Sequence, residues 1–540
     1  MAIPKRGGRD CEFSTTGVDA AGRSIDPWKV TRNILRQIGP ALAAYGAKAW
    51  SRQTRSRGYG YGSYATQYSS DCLRSWTSAG QCYYSDMAHY EAASATSLAP
   101  KTFAAQCLST VLAGEAARKL AEEEADEGET YDLTTSNADL LDPSISFGTH
   151  LNVQVHSSLW EDIIREHRHP AILGYVTSAL AAAIPFFGAG YLLPLNDGTT
   201  IYSLSARAHH LSKIKTLSTT QAFSRGLLNS RRESHTEKHE RLHLIGFDFD
   251  ILSSAPMFSL VQCILAAAEE GYCGMSLFDP VRALRTWSWR LDLNTGKLPA
   301  TAMLVDGRQL TLPAYVRELA TVLLNMCESG LITDEIAPQA TDMLALVIDL
   351  ANYADEGSIV QCAKNVSWAA KLLWLTQLCS QSSATLGDAE TRLADHDFCH
   401  TNPERGAFWR LWEEGMVDPM VTIEDAEACL VEGPLESRDW GRGRIIDKFF
   451  DQVADVDWGF VDLRSGDGLW SPRLRVELPQ LDSLNKQQFE TIIRSAVDPE
   501  HLSQLLINGT DAETRQTDPV DDITRELAIV PETAFQAEEE

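Results

Sequence analysis

Between residues 227 and 250 the sequence LLNSRRESHTEKHERLHLIGFDFD sets Asn229, Arg231, Glu233, His235 and Arg241 beside an apolar run with the pattern of a strand. Polar groups of both signs next to a buried strand are costly unless they bind something. Guanidinium forks take phosphate oxygens in bidentate fashion, while carboxylate and imidazole suit a divalent metal. The stretch therefore reads as one wall of a metal–phosphate site. Three further clusters fall on candidate strands: Asp10 with Glu12, Asp86 with His89 and Glu91, and His150 with Asn152. Ligands converging from several strands on one concave sheet would hold Mg²⁺ ions and a nucleotide triphosphate. Taken singly, an acidic pair also fits a solvated strand face, and a lone His150 fits a core or turn histidine.

Two competing metal readings need weighing. His235, His239 and His243 are spaced four apart, which on a helix makes a transition-metal stripe; the apolar run from Leu242 opposes that helix. His396-Asp397-Phe398-Cys399-His400 resembles half of a zinc site but has no second ligand pair nearby, so it reads as a structural turn. There is no GxxxxGK[ST] loop and no GxSxG elbow, and Gly188-Ala189-Gly190 lacks the partners of a dinucleotide fingerprint.

The elements that must position these groups follow from periodicity. Residues 8–14 read as a strand with Asp10 and Glu12 on one side. Asp26-Pro27 reads as an N-cap with proline at the first helical position, opening a helix with Val30, Ile34, Ile38 and Leu42 along one stripe. QCYYSDMAHYE reads as a second strand leading into a helix at about 101–125. ISFGTHLNVQVH alternates as a third strand, with His150 and Asn152 on one face. Residues 171–186 read as a buried helix ending in the glycine turn, not as a membrane span, because Pro185, Gly188 and Gly190 interrupt the uncharged run. From about 255 to 380 the chain reads as mostly helical.

A chain of 540 residues is too long for one ordinary core. We expect a large catalytic domain over 1–390, a small C-terminal α/β domain over 391–508, and an acidic, disordered tail over 509–540 with no periodicity along its length. Residues 51–70, rich in Arg, Gly, Tyr and Ser, read as an insertion within the first domain. The net charge of −27 argues against nucleic acid as the main partner and favours a locally basic pocket in an acidic body. Eleven cysteines without a CxxC pair, and no apolar leader in MAIPKRGGRD, predict reduced thiols, a cytoplasmic location and no membrane association.

In order, the segments resemble the Pup ligase and depupylase family, the proteasome accessory factor A group. Gly8-Arg9-Asp10-Cys11-Glu12-Phe13 stands where the family has G-x-E-x-E-Y. Gly80, Tyr84, Asp86, His89 and Glu91 match N-G-A-R-x-Y-x-D-x-x-H-P-E-Y, and Ser146-Phe147-Gly148-Thr149-His150-Leu151-Asn152 matches S-Y-G-x-H-E-N. Leu204-Ser205-Ala206-Arg207-Ala208, the stretch Asn229 to Ile245, and Arg438 with Arg442 in SRDWGRGRI match further motifs.

The resemblance implies an α+β fold related to glutamine synthetase, with a curved antiparallel sheet packed on helices. It implies ATP or ADP and Mg²⁺ as cofactors, and Pup or a Pup-like protein and its conjugates as partners. It implies Asp10, Glu12, Glu91 and His150 as metal ligands, a set to which the cluster reading adds His235. Arg207, Arg231, Arg241, Arg438 and Arg442, with Asn229, become nucleotide or phosphate contacts, and Asp86 the catalytic aspartate. A ligase aspartate would deprotonate the lysine that attacks a γ-glutamyl phosphate; a depupylase aspartate would attack, or activate water against, the isopeptide or side-chain amide. Asp10, Tyr90, Leu151, Tyr191 and Arg232 depart from the family pattern. The extra length between Glu12 and Asp86, and the segment LPATAMLVDGRQLTLPAYVREL, point to the depupylase branch; a ligase and a non-catalytic Pup-binding homologue are the alternatives.

Overall fold

The strand β1 (Gly7–Val18) runs through the middle of a ten-stranded sheet and carries the first acidic pair at its centre. The computed structural model describes residues 1–54, 72–140, 142–165, 169–220, 224–234, 236–466 and 471–513. Most of the 51–70 segment, His235, and the tail from residue 514 lie outside the described residues.

The other strands of the first domain are β2 (Ala49–Thr54), β3 (Cys72–Thr77), β4 (Cys82–Asp86), β5 (His89–Ala93), β6 (Thr130–Thr134), β7 (Thr149–Val155), β8 (Tyr191–Pro194), β9 (Thr200–Ser203), β10 (Leu211–Thr216), β11 (Arg225–Asn229) and β12 (Glu240–Leu244). The sheet order is β10-β11-β12-β7-β1-β5-β4-β3-β2, with β6 pairing the distal half of β1 and β8–β9 forming a separate hairpin. Every pairing in the large sheet is antiparallel except β10 with β11. The expected α+β class with an antiparallel-dominated sheet on helices is what forms.

Strand alternation sorts the two faces. Cys11, Phe13, Leu151, Val153, Leu242 and Leu244 are buried in the main core. The helices Pro100–Glu123 and Ser254–Glu269 pack on that face, with Phe103 stacked on Phe258 at 4.1 Å. Arg9 also points there and donates to the Asp250 carbonyl and to Ser254 Oγ, each at 3.0 Å. The opposite face keeps Gly8, Asp10, Glu12, His150 and Asn152. Helix Pro27–Arg36 starts where Asp26 accepts from the Trp28 amide, as its sequence predicts. Helix Pro170–Phe186 is buried from Tyr175 onward. Among the described residues no single helix is long and apolar enough to cross a membrane; one bent pair, Ser157–Arg165 with Pro170–Phe186, passes on length and composition alone.

Two elements differ from the sequence reading. QCYYSDMAHYE is a hairpin, β4–β5, and not one strand. Its turn residues Met87 and Ala88 sit at φ 46° and 74°, so the usual Asn-Gly signal for such a turn is absent. The helical region is also interrupted by a small hairpin, Thr301–Met303 with Gln309–Thr311.

Residues 391–430, grouped above with the small domain, bury Phe398, Phe408, Leu411 and Leu430 in the large core. A second core begins at Trp440 and includes Ile445, Phe449, Val461 and Phe489, and it is completed by Trp76, Cys82 and Ala93 of the sheet. The C-terminal unit therefore closes on the open face of the sheet. Glycine permits the close approach: a methyl group on Gly443 would lie 2.1 Å from the Ser78 carbonyl oxygen. Gly80, at φ +87°, abuts the Asp439 backbone.

Candidate active site

Register brings the acidic clusters together. Asp10 lies opposite His150 across β1 and β7, and Glu12 lies opposite Glu91 across β1 and β5. Asp10, Glu91 and His150 each offer a donor atom within 4.8 Å of the others, and so do Glu12, Asp86 and Glu91. Two carboxylates that close repel by roughly 3 kcal/mol at an effective dielectric of about 20. Burial, then Glu12, Asp10 and Asp86, push Glu91 well above the usual carboxylate range. Tyr84 donates to one Glu91 oxygen at 2.8 Å, while the other, Oε2, is buried without a partner. Burial also raises Asp10, against the opposing pull of Arg241 and a 3.2 Å hydrogen bond from Asn152. Burial, with His243 and Arg207 nearby, drives His150 well below its usual value, so its ring is neutral and offers a lone pair. An oxygen-rich set with an orphaned buried carboxylate oxygen fits a hard divalent cation such as Mg²⁺.

Gly148 keeps this cluster tight. Its amide donates to Glu12 Oε2, and a methyl group there would stand 2.9 Å from His150 Nε2 and 3.0 Å from the Glu12 carboxyl.

Asp86 ends β4 at the rim of the cluster and is exposed to solvent. Surrounding protein still raises its pKa, and the Glu12 charge adds to that effect. His89, opposite Asp86 across the turn, packs edge-on against Phe147 at 4.8 Å, and burial lowers its pKa. An exposed carboxylate of raised basicity beside a cation site can take a proton or attack a carbonyl carbon.

Next to Asp10 lies a cavity of about 500 Å³. Arg6, Arg74, Arg241, Arg438 and Trp458 contribute to its wall beside Asp10, Glu233, Glu240 and Asp457, so a lining of both signs and a nucleotide-sized volume suit a phosphate held together with a cation. Arg241 also pairs with Glu233 at 2.9 Å, so the opening stretch of the sequence does form one wall. Burial lowers Arg438 to about 10, and it donates to the Leu478 carbonyl at 2.8 Å.

The remaining phosphate candidates do not line this cavity. Arg207 is buried and donates to the Phe147 and Ile245 carbonyls, bracing the strand that carries His150. Arg442 is buried on Asp439 at 2.6 Å and the Gly80 carbonyl at 2.8 Å, over the Trp76 ring at 4.6 Å. It ties the C-terminal unit to the sheet. Asn229 is buried on β11, where its Oδ1 accepts from the Arg231 amide at 2.8 Å and its Nδ2 has no partner. Arg231 is exposed just beyond that strand. His235 lies outside the described residues.

The competing metal readings find no support in the geometry. His243 is on strand β12, so no helical stripe through it exists. His400 meets Asp132 at 3.3 Å and His396 meets Asp397 at 3.5 Å in a local polar network. Among the departures, Leu151 faces the core by alternation, away from the cluster. Arg232 pairs with Glu240 at 2.5 Å and Glu161 at 3.3 Å. Arg74 and Trp458 carried no signal in sequence; Arg74 matters because β3 pairs it with Tyr84, and Trp458 because a distant unit folds over the sheet.

A family model described as Pup-ligase protein matches residues 7–462. A depupylase of Acidothermus cellulolyticus is 29% identical over 370 residues, covering 66% of this chain and 68% of the relative. A Pup deamidase/depupylase of Mycolicibacterium smegmatis is 28% identical over 291 residues, covering 52% of this chain and 55% of the relative. The chain thus spans about half the length of that relative. A Pup–protein ligase of Mycolicibacterium gilvum is 26% identical over 342 residues, with 62% and 71% covered. The crystal structure of Pup in complex with its ligase PafA shares the fold, with a TM-score of 0.69 at 20% identity over 96% of this chain and 98% of that one.

Proposed function

The chain belongs to the Pup-ligase family, and from that premise we propose that it is an ATP- and Mg²⁺-dependent, depupylase-like amidohydrolase. Its substrate is the isopeptide bond or side-chain amide at the C-terminal Glu or Gln of Pup or a Pup-like protein. The observation that carries the reading is Asp86, an exposed carboxylate of raised basicity whose donor atom shares a cluster with Glu12 and Glu91. Asp10, Glu91 and His150 are one set that would hold a cation, and Glu12, Asp86 and Glu91 another. Mg²⁺ there would neutralise phosphate charge and polarise an oxygen. Arg241 and Arg438 hold phosphate oxygens on the cavity wall, and Arg207 and Arg442 position the strands and the C-terminal unit around them. Asp86 either takes the proton of a water that adds to the amide carbonyl, and passes it to the amine as the C–N bond breaks, or adds to that carbon itself. In the second route the amine leaves with a proton from water, and a second water hydrolyses the resulting anhydride, releasing the carboxylate and restoring Asp86.

The hydrolase direction is supported by two relatives named as depupylases, one of them spanning 66% of this chain. It is supported also by the long connection from β2 to β3 in sequence. The ligase direction has support of its own, from the Pup–protein ligase relative and from the shared fold of a Pup–ligase complex. In that direction Asp86 would deprotonate an attacking lysine. Incubation with ATP, Mg²⁺ and Pup ending in Gln or Glu, read by intact mass, separates them. A hydrolase converts Gln to Glu, and releases Pup from conjugates, with little net ATP use; a ligase makes ADP in proportion to conjugate. No mass change in any combination overturns both readings for Pup.

A further inference from the structure

On an acidic molecule, the groove beside β10 is basic. A cavity of about 720 Å³ between β10 and the helix Pro280–Ser288 is lined by Lys213, Arg282, Arg285 and Arg290 together with Phe278 and Trp289, and its carboxylate, Asp279, caps the helix by accepting from the Arg282 amide. The chain has 47 basic residues against 74 acidic ones, and many basic side chains sit in ion pairs. Lys213, Arg282 and Arg290 have no carboxylate partner among the described residues. Arg285 reaches only the His209 carbonyl, at 3.4 Å, and its Nε is buried without a partner. At the groove's edge Phe278 is 72% exposed, and its amide bonds the Met303 carbonyl at 2.9 Å. Val305, 70% exposed, continues this apolar rim. Unpaired cations beside exposed apolar side chains fit an acidic segment that also carries apolar residues.

The chain supplies such a segment. Beyond Glu513 the sequence DPVDDITRELAIV, residues 518–530, places Val520, Ile523, Leu527 and Val530 three or four apart. Asp518, Asp521, Asp522 and Glu526 stand among them, with Arg525 the lone base. We propose that the basic groove of Lys213, Arg282, Arg285 and Arg290 docks this tail segment, its acids on the cations and its apolar residues against Phe278 and Trp289. The groove shares no lining residue with the cavity beside Asp10.

The test uses the full chain and a zero-length carbodiimide, which joins a carboxylate to an amine only in direct contact. Peptide mapping should find Lys213 joined to Asp521, Asp522 or Glu526, with a yield that falls as salt is raised. Backbone hydrogen exchange over 519–530 should be on the order of tenfold slower in the parent chain than in the Arg282→Glu/Arg290→Glu variant. Both substitutions are at exposed sites and leave the site around Asp86 untouched. A tail peptide joined only to other lysines, or no cross-link together with exchange that the variant leaves unchanged, overturns the proposal. Binding of an added acidic peptide with the tail still exchanging freely assigns the groove to another partner and also overturns it.

Discussion

Asp10 and His150 stand directly opposite each other on β1 and β7, and their donor atoms fall within 4.8 Å of each other and of Glu91. Without a cation, this arrangement holds several carboxylates at a cost. Glu91→Gln removes the ionisable carboxyl, whose ionisation burial and its acidic neighbours oppose, while keeping the volume and the hydrogen bond from Tyr84. We expect the metal-free variant to be more stable than the parent by about 1–2 kcal/mol, and its thermal stabilisation by Mg²⁺ to be largely lost. Thermal melts with and without Mg²⁺ read both effects. A variant less stable without Mg²⁺ that still responds fully to it would remove Glu91 from the cation site.

Asp86 is exposed at the rim and its loss leaves no buried partner stranded. Asp86→Asn should therefore fold normally and bind nucleotide within a few-fold of the parent. Turnover should fall by about 10²–10⁴, the range typical for removal of a general base. Equal loss of nucleotide binding and turnover would point to a structural role instead.

How far the sequence carries the site depends on the period. Asp10 with Glu12 and His150 with Asn152 are two apart, and alternation alone puts each pair on one face. That sheet register then unites them follows from the fold. The hairpin carrying Asp86 and Glu91 was hidden because Met87-Ala88 gives no turn signal. Arg207 and Arg442 show the limit of residue type: a guanidinium satisfies backbone carbonyls as readily as phosphate, and only the packing tells which. Arg6, Arg74 and Trp458 reach the cavity from segments more than sixty residues apart, beyond the range of any local pattern.

The same turn yields a stability prediction. Met87 and Ala88 both occupy the left-handed region, at φ 46° and 74°, where Asn and Gly are preferred. Met87→Asn/Ala88→Gly should stabilise the protein by about 1 kcal/mol, since the Ala88 carbonyl that accepts from Thr31 at 2.7 Å is retained. The denaturant midpoint measures it. A lowered midpoint would mean that side-chain packing at the turn outweighs its backbone strain.

Gly148 offers a way to disturb the cluster without removing a ligand. A methyl group there meets His150 Nε2 at 2.9 Å and the Glu12 carboxyl at 3.0 Å, closer than ordinary contact. Gly148→Ala should keep the fold but weaken Mg²⁺ binding by on the order of tenfold or more, the cost typical of misplacing metal ligands. Calorimetric titration of Mg²⁺ is the measurement, and unchanged affinity would place the cation away from this corner.

Lys5 leads into β1 from the buried side, paired with Glu269 at 2.5 Å while its amide bonds the Ile336 carbonyl at 2.9 Å. Burial outweighs that pairing and lowers the Lys5 pKa to about 8. Between pH 8 and the ordinary lysine value of about 10.4 the unfolded chain holds a proton that the folded one has released. Stability from this group therefore rises with pH across that window, and below pH 8 the penalty for a buried ammonium is present in full. The stability of the parent minus that of Lys5→Met should increase by up to about 3 kcal/mol between pH 7 and pH 10.5. Denaturant unfolding of both proteins across the range measures the difference. A flat or falling difference would show that the Glu269 pair, not burial, governs Lys5.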